Sequence, residues 1–315
     1  MESKSGNLQY FTVLVLVNLM WAFQFSGAKI ATERLGPFTV TLLPLALSTL
    51  ILVPWAILGK RRRSTIAGHS ITRTVLSFLL LGILGTIASQ LGLTWGVQKS
   101  LASNAAVLTL TIPVLTALLA SLLLGEKMTR LRWLSFGLAI VGVLMVSDID
   151  WHSVDISSGK YLAGNLLIFA SCMGSAFINS YSKKLLERFS AAEVLVYSFL
   201  VADIILVILA VAYESNSFPL IFSLGWPVWG SLLAIAVFSL SLSMMLFFWV
   251  IGRIEVTQAS LSIYLLPVLG VVISTVTLKE RISWQLVTGA VLVFVSTFLI
   301  TTIEERRKTE AITSA

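Results

Sequence analysis

Four polar side chains lie in pairs, four residues apart, on two otherwise apolar segments of the chain. Ser175 and Asn179 form one pair, and Gln90 and Thr94 form the other. Residues four apart share one face of a helix. Polar side chains within a membrane usually face a watery cavity or the interior of a helix bundle. Such faces can bind a small organic molecule through hydroxyl and amide groups. The alternative is that they only hydrogen-bond neighbouring helices together.

Aromatic rings and a thioether occupy the corresponding faces of other apolar segments. Trp21 and Phe25 lie four residues apart, as do Met244 and Phe248, and Tyr264 follows in a later segment. A cavity with amides and hydroxyls on one wall and rings on the other suits an amphipathic organic molecule better than a bare ion. Trp21 lies deep in its segment, so we interpret it as a substrate-stacking candidate rather than an interfacial anchor.

Membrane-spanning helices must position these side chains. The chain has 315 residues, of which 57% are hydrophobic and 12% are charged, and its mean hydropathy is +0.94. A soluble domain carries about 25% charged residues. Because open strands cannot satisfy their backbone in lipid, apolar segments of about 20 residues predict helices. We predict an all-α integral membrane protein with ten transmembrane helices at 8–29, 36–58, 74–97, 102–124, 131–147, 161–183, 191–213, 226–251, 257–278 and 283–303.

The basic residues predict the orientation of these helices. Most of the 22 Lys and Arg residues lie in linkers on the side that holds the N-terminus. The positive-inside rule therefore predicts a multi-pass protein of the inner or plasma membrane, with both termini in the cytoplasm. The net charge of +7 does not indicate a nucleic-acid partner, because the basic residues sit between apolar segments. We expect these linkers to bind anionic membrane lipids weakly.

The chain contains an internal repeat at an offset of 154 residues. The offset aligns residues whose identity shared hydrophobicity does not explain, namely Lys29 with Lys183, Trp95 with Trp249, Pro113 with Pro267, and Glu126 with Glu280. Self-similarity at one offset indicates duplication. We predict one five-helix repeat in residues 1–150 and a second in residues 151–315, the latter with a cytoplasmic C-terminal tail. Because five spans is an odd number, the second copy inserts upside down, an arrangement common in secondary transporters.

Each predicted half ends in a related motif, PVLTALLASLLLGEK at 113–127 and PVLGVVISTVTLKER at 267–281, and the first span contains LMWAFQFSGAK at 19–29. In these motifs the chain resembles the drug/metabolite transporter superfamily, in its EamA-type branch. The resemblance implies export of a metabolite through a central cavity lined by the first, third, fourth, sixth, eighth and ninth spans. It also implies that the fifth and tenth spans are peripheral.

Charged residues at the ends of the predicted spans suggest a pair of gates. Lys29 and Glu280 fall at outer ends, and their repeat equivalents Lys183 and Glu126 fall at inner ends. We hypothesise that a Lys29–Glu280 contact and a Lys183–Glu126 contact alternate during transport. The alternative is that these long side chains only extend to the membrane interface.

Two prolines, Pro113 and Pro267, interrupt their predicted helices in mid-span at equivalent places. Proline removes a backbone donor, and broken helices in transporters often hold the substrate site or act as hinges. We predict hinges at these positions, with a static kink as the alternative.

Asp203 is the only acidic residue that falls deep inside a predicted span. A charged Asp at the bilayer centre costs at least ~2.5 kcal/mol, so we expect Asp203 to be protonated, paired or hydrated. Proton coupling of transport is one hypothesis for its role. The resemblance, however, places the seventh span outside the cavity.

The sequence favours a secondary transporter for a small organic metabolite, such as an amino acid or a related amphipathic compound. Transport of nucleotide-linked sugars or drugs is the alternative within this class. A membrane-embedded enzyme needs a nucleophile with its base, paired carboxylates or a metal set, and a channel is marked by charged rings or a carbonyl-rich filter. Neither pattern stands out. Cys172, His69 and His152 form no metal-ligand pattern, and the segment 59–64 lacks the P-loop spacing, so we predict no metal and no cofactor.

Overall fold

A computed structural model describes residues 4–58, 71–124, 130–146, 159–251 and 265–298. These ranges are helical apart from short connections and contain no strand, as the sequence predicts. The helices are α1 (Lys4–Thr32), α2 (Pro37–Leu58), α3 (Ile71–Leu80), α4 (Ala88–Lys99), α5 (Ala102–Leu108), α6 (Ile112–Leu124), α7 (Arg130–Val146), α8 (Leu162–Leu186), α9 (Ala191–Tyr213), α10 (Ser217–Ile221), α11 (Trp226–Ala234), α12 (Ser243–Ile251), α13 (Leu265–Leu278) and α14 (Trp284–Phe298).

Ten apolar helical segments occur in the described part of the chain, and six of them are long enough to cross a membrane. The six are Tyr10–Thr32, Pro37–Leu58, Ile71–Lys99, Leu162–Ser182, Ala191–Tyr213 and Trp226–Phe247. The other four are shorter apolar helices, Ala102–Thr116, Trp133–Val146, Leu265–Leu278 and Trp284–Ser296. Helix length and composition therefore support a multi-pass membrane protein, while the count of ten full spans stays a prediction.

Two π-helical segments interrupt long helices at positions 154 residues apart. The first, Leu81–Ile87, joins α3 to α4, and the second, Ile235–Leu242, joins α11 to α12. In the second segment the Ser241 hydroxyl donates to the Ala236 carbonyl at 2.8 Å, and the Ser239 hydroxyl donates to the Met20 carbonyl of α1 at 2.6 Å. Serine hydroxyls that bond to helix carbonyls disturb the regular ladder. Such π-helical turns are frequent at functional sites.

Helix α1 packs against α4, α12, α13 and the second π-helical segment. In lipid, close helix contact depends on small side chains, and the contact between α4 and α8 illustrates this: a Cβ on Gly96 would lie 2.9 Å from the Gly164 carbonyl oxygen. Helices α7 and α14 pack mainly against each other and expose large apolar side chains such as Trp133 and Phe294. This is the peripheral placement that the resemblance implies for the fifth and tenth spans.

Hydrogen bonds between helix ends define one side of the bundle, which we call the Lys29 side. Helices α1, α4, α9 and α13 end there, and α2, α5 and α8 begin there. The contacts that bring these ends together come from Lys29, Glu214 and Glu280 and from the Ser100–Asn165 bond. The alternating direction of the helices agrees with repeated crossing of a membrane.

Candidate substrate site

A hydrogen bond between two glutamine side chains joins α1 to α4. The Gln24 amide nitrogen, Nε2, donates to the Gln90 amide oxygen, Oε1, at 2.7 Å. Gln24 is only 8% exposed, so this bond lies inside the bundle. An amide placed in an apolar helix is costly unless it is hydrogen-bonded. The two glutamines satisfy part of each other's requirement and leave the other half free.

A small cavity lies beside this glutamine pair, where α1, α2, α4 and the second π-helical segment meet. Its lining residues are Gln24, Ala28, Val40, Thr41, Pro44, Gln90, Thr94, Ile235 and Leu240. The space open to the centre of a water molecule is about 10 Å³, which holds roughly one water. The sequence predicts Gln90 and Thr94 as site residues, and both line this cavity.

Proline adds a backbone acceptor to the cavity wall. Pro44 lies within α2 and carries no N–H, so the carbonyl of Val40 lacks its regular helical donor. Val40 and Pro44 both line the cavity. The Thr41 hydroxyl donates to the Pro37 carbonyl at 2.7 Å and therefore keeps only acceptor capacity for a ligand. No charged side chain is among the residues that line the cavity.

Two of the predicted aromatic residues, Trp21 and Phe25, lie on the same helix as Gln24. Trp21 contacts Phe247 of α12, with ring centroids 5.2 Å apart. Phe25 is buried and packs beside Gly270 of α13. Met244 is partly buried against the main apolar cluster. Of these residues, none lines the small cavity directly; they build the apolar surroundings of α1.

The two predicted site residues on the polar face of α8 have different surroundings. The Ser175 hydroxyl lies 2.7 Å from the Ser89 hydroxyl of α4, so it makes a helix-to-helix hydrogen bond. Asn179, one turn further on, is exposed. Neither residue lines the cavity beside the glutamine pair. Ser175 thus has the contact expected of a helix-joining serine, while Asn179 faces open space.

Lys29 and Glu280 both bind the turn between α4 and α5. The Lys29 ammonium donates to the carbonyls of Val97 at 2.7 Å, Gln98 at 3.2 Å and Ser100 at 2.6 Å. The Glu280 carboxylate accepts the backbone N–H groups of Ala102 at 2.8 Å and Ser103 at 2.9 Å. The lysine therefore caps the C-terminus of α4, and the glutamate caps the N-terminus of α5.

The predicted direct ion pair between Lys29 and Glu280 does not form among the described residues. Each charged group instead satisfies backbone groups that a helix end leaves without partners. The same turn holds a buried network in which the Asn104 amide donates to Ser100 Oγ at 3.1 Å and to the Val146 carbonyl at 3.2 Å. The Ser100 hydroxyl in turn bonds to Asn165 of α8.

Glu214 is a third helix cap on the Lys29 side, and sequence reasoning did not single it out. Its carboxylate accepts the backbone N–H groups of Phe38 at 2.9 Å and Thr39 at 2.8 Å, and the Thr39 hydroxyl at 2.7 Å. These groups open α2, so Glu214 ties the end of α9 to the start of α2. No local pattern predicts the contact, because its partners lie about 175 residues apart in the chain.

The predicted hinge at Pro113 coincides with a change of helix type. A 3-10 turn at Thr109–Thr111 separates α5 from α6, and Pro113 is the second residue of α6. Because Pro113 has no N–H to donate to the Thr109 carbonyl, the N–H of Ile112 donates there instead. Pro267 lies in α13, three residues into the described range that begins at Leu265, and the residues before that range are not described, so the hinge at Pro267 stays a prediction.

Asp203 contacts Thr49, the residue at the offset of the predicted repeat. Its carboxylate oxygen Oδ2 accepts the Thr49 hydroxyl at 2.7 Å, and the two residues are 154 apart in the chain. The other oxygen, Oδ1, is buried and has no hydrogen-bond partner among the described residues. The contact joins α2 to α9 and does not line the cavity. The partner of Asp203 is a hydroxyl group, which can donate to a charged or to a protonated carboxyl group, so its protonation and the proton-coupling hypothesis stay predictions.

Four predicted site residues lie outside the described part of the structure in whole or in part. Glu126 and Tyr264 fall outside the described ranges, and the side chains of Lys183 and Phe248 are not described. Their predicted roles therefore stay predictions.

Comparison with known proteins identifies the family. The model of the EamA-like transporter family matches residues 9–148 and again residues 162–302. The chain belongs to the EamA-like transporter family. The two matched stretches together cover most of the chain, and each contains one of the two motifs on which the resemblance to the EamA-type branch rests.

Proteins with similar sequences are named as transporters. The chain is 22% identical over 299 residues to the "Uncharacterized transporter YoaV" of Bacillus subtilis, covering 94% of this chain and 97% of that protein. It is 25% identical over 270 residues to a "Probable terminal-alkyne amino-acid exporter" of Streptantibioticus cattleyicolor, covering 85% and 84%. A crystal structure with 17% identity matches with a TM-score of 0.58 over 97% of this chain and 99% of the other. This similarity shows a shared fold and nothing about function.

Proposed function

We propose that this EamA-family protein is a secondary transporter that moves a small organic metabolite across the cell membrane by alternating access. The observation that carries the proposal is the position of the Gln24–Gln90 cavity. Its walls come from the first half of the chain and from Ile235 and Leu240 of the second half. In transporters with repeated halves, the substrate site lies where the halves meet.

The proposal includes an inverted repeat of residues 1–150 and 151–315. Three observations support it. The π-helical segments begin at Leu81 and Ile235, which are 154 apart. Thr49 contacts Asp203, its equivalent at the same offset, as expected for two residues on a pseudo-two-fold axis. The packing of α1 against α12 and α13 is matched by the packing of α8 against α4 and α6.

Alternation requires one side of the site to close while the other opens. The Lys29 side carries the closing contacts, because Lys29 and Glu280 both hold the α4–α5 turn against α1 and α13. We propose that Lys183 and Glu126, their repeat equivalents, make the corresponding contacts at the opposite side in the alternate state. The gate hypothesis thus changes in one respect: each charge holds a helix end rather than the opposite charge.

The proposed cargo is an amino acid or a related amphipathic compound, and the proposed direction is export. The name of the Streptantibioticus relative as an amino-acid exporter supports this class. The arrangement of Lys and Arg in the linkers supports cytoplasmic termini in the cell membrane. Because the relatives are named transporters, an enzymatic function has less support.

Counterflow in proteoliposomes tests the proposal. The vesicles are loaded with one unlabelled amino acid at a time, and uptake of the same labelled compound is measured with and without a pH gradient. Protein-free vesicles provide the background, and the variant Glu280→Ala provides a protein control in which closure of the Lys29 side is weakened. We expect saturable counterflow of at least one amino acid. Compounds that bind the protein also stabilise it. If none of these compounds shows counterflow, the transport function is refuted.

The proposed orientation has its own test. Cysteine is introduced at Lys160 on the Lys29 side, and at Ser5 near the N-terminus, into a Cys172→Ser background. A membrane-impermeant maleimide applied to intact cells should label position 160 and not position 5. The reverse pattern would invert the proposed topology without affecting the transport test.

A further inference from the structure

The cavity beside the glutamine pair presents neutral hydrogen-bonding groups to a ligand. The Gln24–Gln90 bond uses one donor of Gln24 and the oxygen of Gln90. The Gln24 oxygen, the Gln90 amide nitrogen and the Thr94 hydroxyl make no further hydrogen bond within the described part of the protein. Together with the Val40 carbonyl left by Pro44, they offer donors and acceptors in one place.

Charged groups near the cavity are committed to other partners. Lys29 follows the lining residue Ala28, but its ammonium donates to three backbone carbonyls. The carboxylates of Glu214 and Glu280 accept the N–H groups that open α2 and α5. A charged ligand group would therefore enter the cavity without a counter-charge, and an unpaired buried charge is far more costly than a neutral group that finds hydrogen bonds.

The size of the cavity limits what enters it. Room for roughly one water molecule admits a hydroxyl group, or the nitrogen or oxygen end of a carboxamide, while the rest of a substrate must lie outside. Such a group can replace the Gln24–Gln90 bond with one bond to each glutamine. One hydrogen bond between the glutamines is exchanged for two to the ligand, so each glutamine keeps a partner when the pair opens and no buried polar group is left unsatisfied.

We propose that this cavity recognises an uncharged group of the substrate that both donates and accepts hydrogen bonds, namely a carboxamide or a hydroxyl. Gln24 and Gln90 are then the residues that determine specificity, and any charge on the substrate stays outside the cavity. The inference rests on the proposed transport function for its biological meaning. The binding preference itself is a property of the cavity and can be measured separately.

Two isosteric substrate pairs test the preference in transport. Glutamine and glutamate differ by a neutral amide against a carboxylate, and threonine and valine differ by a hydroxyl against a methyl group. We expect the wild-type protein to prefer glutamine and threonine by roughly tenfold, the effect of one well-placed hydrogen bond. Gln24→Leu and Gln90→Leu should each reduce both ratios to about twofold or less. Gln90→Asn should restore part of the preference, because it keeps an amide.

Gln98→Leu is the matched control for these variants. Gln98 lies on the same helix, two turns beyond Gln90, and makes only a long bond of 3.4 Å to the Thr32 carbonyl. It does not line the cavity, so its replacement should leave both ratios unchanged. Equal loss of preference in the Gln98 variant, or unchanged ratios in the Gln24 and Gln90 variants, would overturn the inference.

A binding measurement separates this inference from the transport function. Propionamide and propionate, at matched ionic strength, are added to detergent-solubilised protein and the melting temperature is followed. Propionamide should raise the melting temperature of the wild type and of Gln98→Leu, but not of Gln90→Leu, and propionate should have no effect. This result without any counterflow would leave the cavity preference standing and refute transport. Counterflow with equal effects of the two probes would refute the cavity preference alone.

Discussion

Replacing Lys29 with Met tests whether the charged caps on the Lys29 side stabilise the fold. The variant keeps the apolar stem and removes the ammonium, which leaves the buried carbonyls of Val97 and Ser100 without this donor. A hydrogen bond from a charged group contributes about 1.5–3 kcal/mol, and a cation at a helix C-terminus adds about 0.3–1 kcal/mol. Because Lys29 is only partly buried, we take the lower end for the whole set of contacts. We expect a loss of about 2 kcal/mol in the free energy of unfolding.

The loss is measured by unfolding the purified protein in mixed micelles with increasing SDS, followed by tryptophan fluorescence. Lys29→Arg keeps the charge and several donors, so it should recover most of the stability. Lys99→Met is the matched control, because Lys99 is an exposed lysine at the same end of α4. It should change the free energy of unfolding by no more than about 0.5 kcal/mol. A loss below that value for Lys29→Met, or an equal loss for Lys99→Met, would refute the reasoning.

Three further substitutions probe contacts between distant parts of the chain. Glu214→Ala should destabilise the protein by about 1–2 kcal/mol, because α2 loses its cap; an unchanged SDS midpoint would contradict this. Asp203→Asn keeps an acceptor for Thr49 and lies outside the cavity, so transport should keep its pH dependence. Loss of the pH dependence in this variant would instead support proton coupling through Asp203. Gly270→Val should lower stability by about 1–3 kcal/mol, because even a Cβ there overlaps Ala106; wild-type stability would show that α5 and α13 separate easily.

Hydropathy and helical spacing predicted the features of this fold that depend on one helix at a time. The all-helical class follows from the need to satisfy backbone groups in lipid. Gln90 and Thr94 were predicted as cavity residues because they are polar and share one face of an apolar helix, and both line the cavity. Sequence spacing works here because the property that matters, the direction of a side chain, repeats with the helix.

Contacts that need two helices were harder to predict. Gln24 was missed because the residues four positions before and after it on α1 are apolar, so the sequence shows no polar helix face there. Its importance depends on Gln90, which lies 66 residues away. Pro44 was missed because it is notable only where the freed Val40 carbonyl meets a cavity. The cost of an amide in an apolar segment was the one available indication for Gln24.

Lys29 and Glu280 bind helix ends here rather than each other, for a physical reason, and their alternation with Lys183 and Glu126 stays a prediction. Opposite charges at the same membrane depth suggest an ion pair, but helix ends compete for the same charges. The last carbonyls of α4 and the first N–H groups of α5 lack partners within their helices. Binding to them gives Lys29 three hydrogen bonds and Glu280 two. Rotation of the ammonium toward the carboxylate would take at least one N–H donor away from these carbonyls in a buried turn.

If transport follows the proposed alternating access, the three caps determine what opening of the Lys29 side requires. Three charged side chains there satisfy the ends of α2, α4 and α5, and each lies on a different segment from the helix that it caps. When α1 or α13 moves away from the α4–α5 turn, the backbone groups at the helix ends therefore lose their hydrogen-bond partners. Water or lipid headgroups must then replace Lys29 and Glu280. Water is available only at the membrane surface, so opening must hydrate the turn before the cavity is reached. The caps would then couple access to hydration, and their loss should favour the state that is open on this side.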